Sequence, residues 1–471
     1  MNLDDGSTPL AELFERQKAA QALMPLPSAG ERRASLEAIE RLLRDNADAL
    51  AKAVSEDFGG RSSHETQLLE LFPSLETVRH ARRHVKRWMR PERRATNLWF
   101  LPGRSRVMFQ PLGLVGIVVP WNYPIYLAIG PMASALAAGN RVLVKMSESA
   151  PATGALFAKL VSNRFPPDQV AVVNGDADVA AAFTALPFDH LIFTGSTSVG
   201  RHVMRAAAQN LTPVTLELGG KSPAIVGRGF PIAEAASRVL YGKCLNAGQT
   251  CVAPDYVLVP EERTEAFVAA ARSTVERLYP TVASNPDYTA IVNARQRDRV
   301  ISLLDEARAL GANVIALAPA GESPLPPRKI APHLVLGGRD EMRVMREEIF
   351  GPVLPIVAYR TLDEALAYVN ARPRPLALYV FENDSTDVER VLSGTVSGGA
   401  CVNETLVHLA QDNLPFGGVG PSGMGRYHGR DGFEALSVKK SVFLQSRFNG
   451  LKLFRPPYRE RFETLVKFLF R

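Results

Sequence analysis

Apolar positions along the chain change their spacing twice, and each regime predicts a different kind of element. In "ERRASLEAIERLLRDNADALAKAVSEDF", Leu36, Ile39, Leu42 and Leu43 recur at the three-and-four interval of one buried helical face. From about Leu10 to Trp88 the chain reads as helical. Around Pro102-Gly103, "NLWFLPGRSRVMFQ" offers two short extended runs that predict a hairpin. Beyond it, β-branched runs ("GLVGIVV", "RVLVKM", "QVAVVN", "HLIFTG", "PVTLEL") alternate with helical segments at 126–138, 152–163 and 198–210. Such alternation predicts parallel βαβ units in a doubly wound sheet. A second series follows, with "DYVLVP", "NVIALA", "HLVLGG", "VLPIVAY" and "LALYVF" as strands and "APAGESPLPPRKIAPH" as a Pro-rich surface loop.

Residues 111–140, "PLGLVGIVVPWNYPIYLAIGPMASALAAGN", carry no charge and imitate a membrane span. Pro111, Pro120, Pro124 and Pro131 cut the stretch into pieces shorter than a bilayer crossing. It reads instead as a buried strand, a turn and a buried helix.

Composition narrows the class. At 471 residues, two or three domains are expected, and 46% hydrophobic with 22% charged residues describes a soluble globular protein. Cys244, Cys251 and Cys401 are too few and too irregularly spaced for a disulfide framework or a zinc site. No metal site is expected, and a reducing, cytoplasmic setting fits. The polar start "MNLDDGSTPL" does not read as a secretory signal. The net charge is +7, yet from Arg447 to Arg471 seven Lys and Arg face only two Glu. The basic excess is therefore largely a property of the tail, which argues against a nucleic-acid surface. His80 and His84 stand four apart within "RHARRHVKR" and read as a solvated basic helix face rather than a metal pair.

Five stretches carry candidate chemistry. "FTGSTSVGRHVMRAAA" turns from strand to helix at Gly195 and Ser196, either a pyrophosphate cradle or an ordinary βα junction. "VLVKMSES" brings Lys145 and Glu148 off a strand's carboxyl end, as ribose contacts or as a solvated turn. Glu217 precedes Gly-Gly in "VTLELGGKSP", as a general base or a strand-end residue. Asn122 lies in the chargeless stretch, so its amide needs buried partners or a ligand oxygen. Cys251, in "LNAGQTCVAPDY", is a small buried filler or a nucleophile.

Taken together, "PWNYP", "VLVKMSES", "FTGSTSVG", "LELGGKSP", "NAGQTC", "EEIFGPV" and "PFGGVGPSGMG" resemble the aldehyde dehydrogenase superfamily over residues 10 to 443. The 34-residue separation of Glu217 and Cys251 agrees with that resemblance. "VNETLVHLAQDNLPFGGVGPSGMGRYHGRDGF" is most similar to the class 3 and fatty-aldehyde branch. "FLPGRSRVMFQPLG" and "GNRVLVKMSES" resemble its bacterial coniferyl-aldehyde dehydrogenase members.

The resemblance implies an α/β fold with two doubly wound parallel-sheet domains and a small β oligomerisation arm. It divides the chain into a dinucleotide-binding domain (1–94 and 110–215), a catalytic domain (216–398), an arm with the active-site loop (95–109 and 399–443), and a basic amphipathic tail (444–471). It implies Cys251 as nucleophile, Glu217 as general base and Asn122 as oxyanion donor. Lys145, Glu148, Gly195, Ser196, Glu348 and Phe350 would contact the cofactor. Tyr123, Leu127, Val252, Thr405 and His408 would line the aldehyde tunnel. Met146 stands where the family has proline, which frees the φ angle of that turn.

The implied reaction is NAD(P)-dependent oxidation of an apolar, coniferyl-like aromatic aldehyde to its acid, through a thiohemiacetal and a thioester on Cys251. Water rather than coenzyme A would take the acyl group, because Glu217 is present. The carboxylate of Glu148 favours NAD, with NADP second. The alternatives are a fatty or medium-chain aldehyde dehydrogenase and a non-catalytic binding member. A homodimer is implied, with the hairpin near 99–109 and the strand near 437–444 pairing across it. The tail would dock on the partner subunit or rest on an anionic membrane surface.

Overall fold

The computed structural model of the chain describes residues 9–23, 26–318, 321–322, 324–451, 455–458 and 460–470. The first eight residues, which bear on the secretory-signal question, lie outside the described residues, as do positions of the surface loop and tail (319–320, 323, 452–454, 459 and 471).

The helical opening is four long helices, Leu10–Leu23, Ala29–Asp45, Ala47–Phe58 and Phe72–Trp88, with a short one at Ser63–Thr66. Ser28 and Glu31 form a reciprocal capping box on the second. Leu36, Ile39, Leu42 and Leu43 are fully buried, as their spacing predicts. Gln67–Leu71 is a single π-helical turn. The face carrying His80 is not solvated: His80 is buried, its ring 4.3 Å from His84 and 5.6 Å from Trp88. Trp88 and the apolar side of this helix bring that ring into the core, which the surrounding cations conceal in the sequence.

Strand β1 (Glu92–Arg94) pairs antiparallel with β2 (Arg104–Pro111). This corrects the expected hairpin, because "LWF" is a 3₁₀ turn over Leu98–Phe100, started by the Asn97 side chain accepting from the Trp99 N–H at 3.1 Å. The first sheet then takes β3 (Leu114–Val118), β4 (Arg141–Lys145), β5 (Val170–Val173), β6 (His190–Gly195) and β7 (Val214–Leu218), all parallel, in spatial order β7-β6-β3-β4-β5. The chain begins at β3, steps twice to one side, then returns to the other. Its switch point lies between β3 and β6, where open α/β sheets bind ligands. The chargeless stretch is β3, a turn and the fully buried helix Tyr126–Ala138.

The second sheet repeats the plan. It is built from β8 (Pro223–Val226), β9 (Tyr256–Pro260), β10 (Asn313–Ala316), β11 (His333–Leu336), β12 (Val353–Tyr359), β13 (Ala377–Phe381) and β14 (Gly399–Val402). The order is β10-β11-β12-β9-β8-β13-β14, parallel except for the edge strand β10. Its switch point lies between β8 and β13. Cys244 ends a helix and Cys401 lies on β14, both buried.

Two later strands leave this sheet. β15 (Gly423–Met424) returns to pair antiparallel with β7, setting Gly423 opposite Glu217. β16 (Ser437–Leu444) pairs with β2 along its whole length, from Ser437↔Pro111 to Leu444↔Arg104. The strands expected to meet across a dimer are thus partners within one chain, joined by an eight-residue antiparallel match that leaves the other edge of β16 unpaired among the described residues. The tail helix, Glu460–Leu469, sets Phe468 edge-on against Trp99 at 6.3 Å. No helix among the described residues is long and apolar enough to cross a membrane.

Candidate active site

The carboxyl edge of the first sheet faces the second across a cavity of about 930 Å³. Three segments meet there from the sheet side: Pro120–Asn122 after β3, Thr194–Ser198 at the end of β6, and Glu217–Gly219 at the end of β7. Thr250–Val252 and Glu347, Glu348 and Phe350 close it from the other side.

Helix Thr197–Ala208 starts at the switch point, with Ser196 as its N-cap accepting from the Val199 N–H at 3.4 Å. Its first N–H groups and dipole therefore point at the crevice, the arrangement that suits a pyrophosphate.

The loop before Cys251 is held in a conformation that side-chain residues rarely adopt. Asn246, Ala247 and Gly248 are left-handed in succession, with φ of 52°, 51° and 74°. Buried partners hold them there. The Asn246 N–H donates to the Glu65 carboxylate at 3.2 Å, and the Thr289 hydroxyl donates to it at 2.6 Å. The Gln249 amide donates to the Asn246 and Ala290 carbonyls and accepts from the Val292 N–H at 2.9 Å. Such strain persists only where the surroundings over-determine it.

Asn122 is tied to the same loop, its amide donating to the Gln249 carbonyl at 3.2 Å. Its own carbonyl accepts from Asn246 at 3.1 Å and from Arg61 at 3.0 Å. Arg61 is paired with Glu70 at 2.9 Å, both side chains wholly buried. Glu70 also accepts from the Ile125 and Tyr126 N–H groups, at 2.7 and 3.2 Å, at the start of the buried helix. A π-turn thus delivers the carboxylate that fixes the Asn122 segment.

Burial dominates the electrostatics. The Cys251 thiol is pushed up to about 12 by burial and by Glu348 and Glu217, against the pull of the Cys251 and Val252 backbone amides. Glu217 is raised well above the usual carboxylate range by burial, with Arg426 opposing, and neither carboxyl oxygen has a protein partner. Glu348 is pushed up to about 8 by burial and Asp255. Its segment is anchored by Asp255, which accepts from the Ile349 N–H at 3.1 Å, and by Lys221, which donates to the Glu347 carbonyl at 2.9 Å. Phe350, at φ 49°, meets the Trp121 ring edge-on at 5.3 Å.

Cys251, Glu217, Asn122, Gly195, Ser196, Glu348 and Phe350, chosen from sequence, all line this cavity, as do Tyr123, Leu127, Val252 and Thr405. Three do not. His408 turns away, its ring 6.0 Å from Tyr379 and packed where a Gly399 side chain would stand, so it is not a tunnel residue. Lys145 is buried at the end of β4 and donates to the Met146 and Gly175 carbonyls at 2.7 and 2.8 Å. Glu148 lies exposed just beyond it, outside the cavity wall.

Sequence reasoning missed Tyr126, Phe416, Tyr427 and His428, which line the cavity from the helix after β3 and from the loop before the helix Gly429–Ala435. Only the histidine-glycine pair in "RYHGRDG" hints at them. Glu65, Arg61 and Glu70 were also missed, since nothing in "RSSHETQLLEL" marks charged side chains as buried.

The family model described as "Aldehyde dehydrogenase family" matches residues 7–442. A relative named "Probable coniferyl aldehyde dehydrogenase", from Pseudomonas aeruginosa, is 55% identical over 98% of this chain and 96% of that one. Among solved structures, "Substrate bound state of Staphylococcus Aureus AldH" superposes with a TM-score of 0.92 at 36% identity, covering 98% of this chain and 100% of that one. The Mycobacterium tuberculosis aldehyde dehydrogenase complexed with NAD+ is similar with a TM-score of 0.82 at 29% identity, covering 93% of this chain and 90% of that one.

Proposed function

The chain belongs to the aldehyde dehydrogenase family, and from that premise we propose that it oxidises an apolar aromatic aldehyde to its carboxylic acid through a thioester on Cys251, with NAD as hydride acceptor. One observation carries the reading. Cys251, Glu217 and Asn122 come from three separate segments and line one cavity with the Gly195–Ser196 turn.

Attack of the Cys251 sulfur on the carbonyl carbon forms a C–S bond and pushes the carbonyl electrons onto oxygen. The resulting alkoxide needs donors already in place. The Asn122 amide, held by Gln249, and the Cys251 backbone N–H supply two, each worth ~10²–10³ in rate. A nicotinamide cofactor held there would supply the two-electron acceptor for the hydride that leaves the alkoxide carbon. The residues present fit that group: a helix N-terminus with its Ser196 cap for the pyrophosphate, and the buried Glu348 carboxyl and Phe350 ring beside Cys251. Glu217 then takes a proton from the water that attacks the thioester, and the acid leaves as the C–S bond breaks.

Much of the cavity wall is apolar. Its lining includes Leu68, Leu69, Phe72, Tyr126, Leu127 and Leu409, alongside the charged Glu217, Arg295, Arg299, Glu347 and Glu348. This supports an uncharged aromatic substrate of the coniferyl-aldehyde kind, the class named for the Pseudomonas aeruginosa relative. A medium-chain aldehyde is the second reading, favoured by the exposed apolar rim at Leu68 and Phe72.

Incubating the Glu217→Gln variant with coniferaldehyde and NAD should trap the acyl group, read by mass spectrometry as an adduct on the Cys251 peptide. A variant that turns over normally and carries no adduct would overturn the assignment. Comparing coniferaldehyde, benzaldehyde, hexanal and decanal by NADH absorbance separates the two substrate readings.

A further inference from the structure

The three-stranded sheet β1-β2-β16 carries cations on both faces, and only one face neutralises them. Opposed residues of an antiparallel sheet share a face, and faces alternate along each strand. The register therefore sets Glu92, Arg94, Phe109 and Lys439 on one side. Phe109 packs against Phe433 at 5.5 Å, so that side faces the core. Its cations have carboxylates: Arg94 pairs with Glu92 at 2.5 Å, and Lys439 pairs with Glu434 at 2.5 Å. Arg430 joins the same two acids.

The outward side is different. The same register places Arg93, Arg104, Arg106 and Lys440 there, beside the exposed Val438 and Leu444. No Asp or Glu of the three strands falls on this face, and Glu92 and Glu434 are engaged on the other. Arg93 lies directly opposite Arg106, a like-charge pairing that costs a sheet stability. Arg93, Arg104 and Lys440 are exposed, and the Arg106 Nε is buried with no protein partner. Where β1 turns into β2, Leu98, Trp99, Phe100 and Leu101 stand exposed in succession.

The sequence holds the same signal. From Arg79 to Arg106, ten Lys and Arg face one Glu. The overall charge of +7 conceals this, because acidic residues elsewhere offset it.

The chemistry of the face selects its partner. A second copy docked face to face would oppose the same four cations. A nucleic acid would satisfy the cations but leave Val438, Leu444 and the Leu98–Leu101 segment in water. The boundary between anionic headgroups and acyl chains takes both kinds of side chain.

We infer that the outward face of this sheet docks the protein on an anionic phospholipid surface. Arg93, Arg104, Arg106 and Lys440 meet the headgroup phosphates, and the Leu98–Leu101 segment enters the acyl boundary. The contact belongs to the sheet rather than to the basic tail, and it is independent of the chemistry at Cys251.

The test is sedimentation of the full chain with vesicles of phosphatidylcholine, alone or mixed with phosphatidylglycerol. The wild type should bind only the mixed vesicles. It should leave them as NaCl rises from about 0.1 to about 1 M, which shortens the screening length from ~10 to ~3 Å. Each cation at an anionic surface is worth about fivefold in affinity. The triple variant Arg93→Gln, Arg106→Gln, Lys440→Gln should therefore bind about a hundredfold more weakly. Its NADH production should be unchanged, since none of the three lines the cavity. Should the triple variant fail to fold, Lys440→Gln alone, with an expected loss of about fivefold, decides. Removing tail cations instead, with Arg447→Gln, Arg455→Gln and Lys467→Gln, should leave binding near the wild-type level. The proposal is overturned by a wild type that ignores the mixed vesicles, binds phosphatidylcholine equally or holds on at high salt. Binding that survives the sheet substitutions, that is lost with the tail cations, or that is tighter to duplex DNA overturns it as well.

Discussion

The two doubly wound sheets share one plan and differ at the same place. Each begins at a central strand, steps to one side, and returns to the other, leaving a switch point at its carboxyl edge. In the first sheet that edge opens into the cavity of about 930 Å³. In the second it is filled. The Glu382 carboxylate, just after β13, packs where a Gly227 or Gly229 side chain would stand. It accepts from the Asn383 and Asp384 N–H groups at 2.7 and 3.1 Å. Tyr359 closes the neighbouring carbonyl, donating to Val226 at 2.6 Å, and about 80 Å³ remains. The fold provides two equivalent crevices, and a few side chains decide which one is a site. In the open crevice, Glu217 and His428 keep buried polar atoms without partners. In the filled one, the backbone donors already have a carboxylate.

Cys251→Ser tests this contrast most severely. It should lower NADH production by about 10⁴-fold or more, while fluorescence quenching shows NAD still bound. Near-normal turnover would place the chemistry elsewhere. Glu217→Gln should slow steady turnover by about 10²–10⁴-fold through the trapped acyl-enzyme.

Cys251 in the free protein, pushed up to about 12 by burial, should be a thiol at neutral pH. The thiolate is the minor form below that value, so iodoacetamide inactivation should accelerate about tenfold per pH unit between pH 7 and 10. NAD, through its cationic ring, should speed it at fixed pH. A pH-independent rate would contradict the buried thiol.

The filled crevice should answer in stability rather than rate. Glu382→Ala removes the charged acceptor of two part-buried backbone hydrogen bonds and should cost about 1–3 kcal/mol by urea denaturation, with kcat and KM unchanged. A selective loss of activity would mean that the second crevice takes part in the reaction. Smallest of all, Ser196→Ala loses one helix cap, about 1 kcal/mol. Because that helix faces the open crevice, the KM for NAD should rise a few-fold.

Local pattern made much of this protein legible. The period of Leu36, Ile39, Leu42 and Leu43 placed a buried helix face, and β-branched runs between helices placed both parallel sheets. Strand ends carrying Gly195–Ser196, Glu217 and Asn122 pointed to one edge, since parallel strands bring their carboxyl ends together. Those features depend on neighbours within a turn or two of chain, and short-range sterics and burial suffice to set them.

What only the tertiary structure decided depends on residues far apart. His408 and His428 are both histidines in one glycine-rich segment, and only packing turns one toward Tyr379 and the other into the cavity. Nothing local marks Glu65, Arg61 and Glu70 as buried, and only the fold sets them against the Asn246 loop and the Asn122 carbonyl. The Thr77 hydroxyl donates to Asp412 from 335 positions away, and no period or motif links them. A buried charge or a long-range hydrogen bond is defined by the partners that replace water around it, and those partners exist only once the chain has folded.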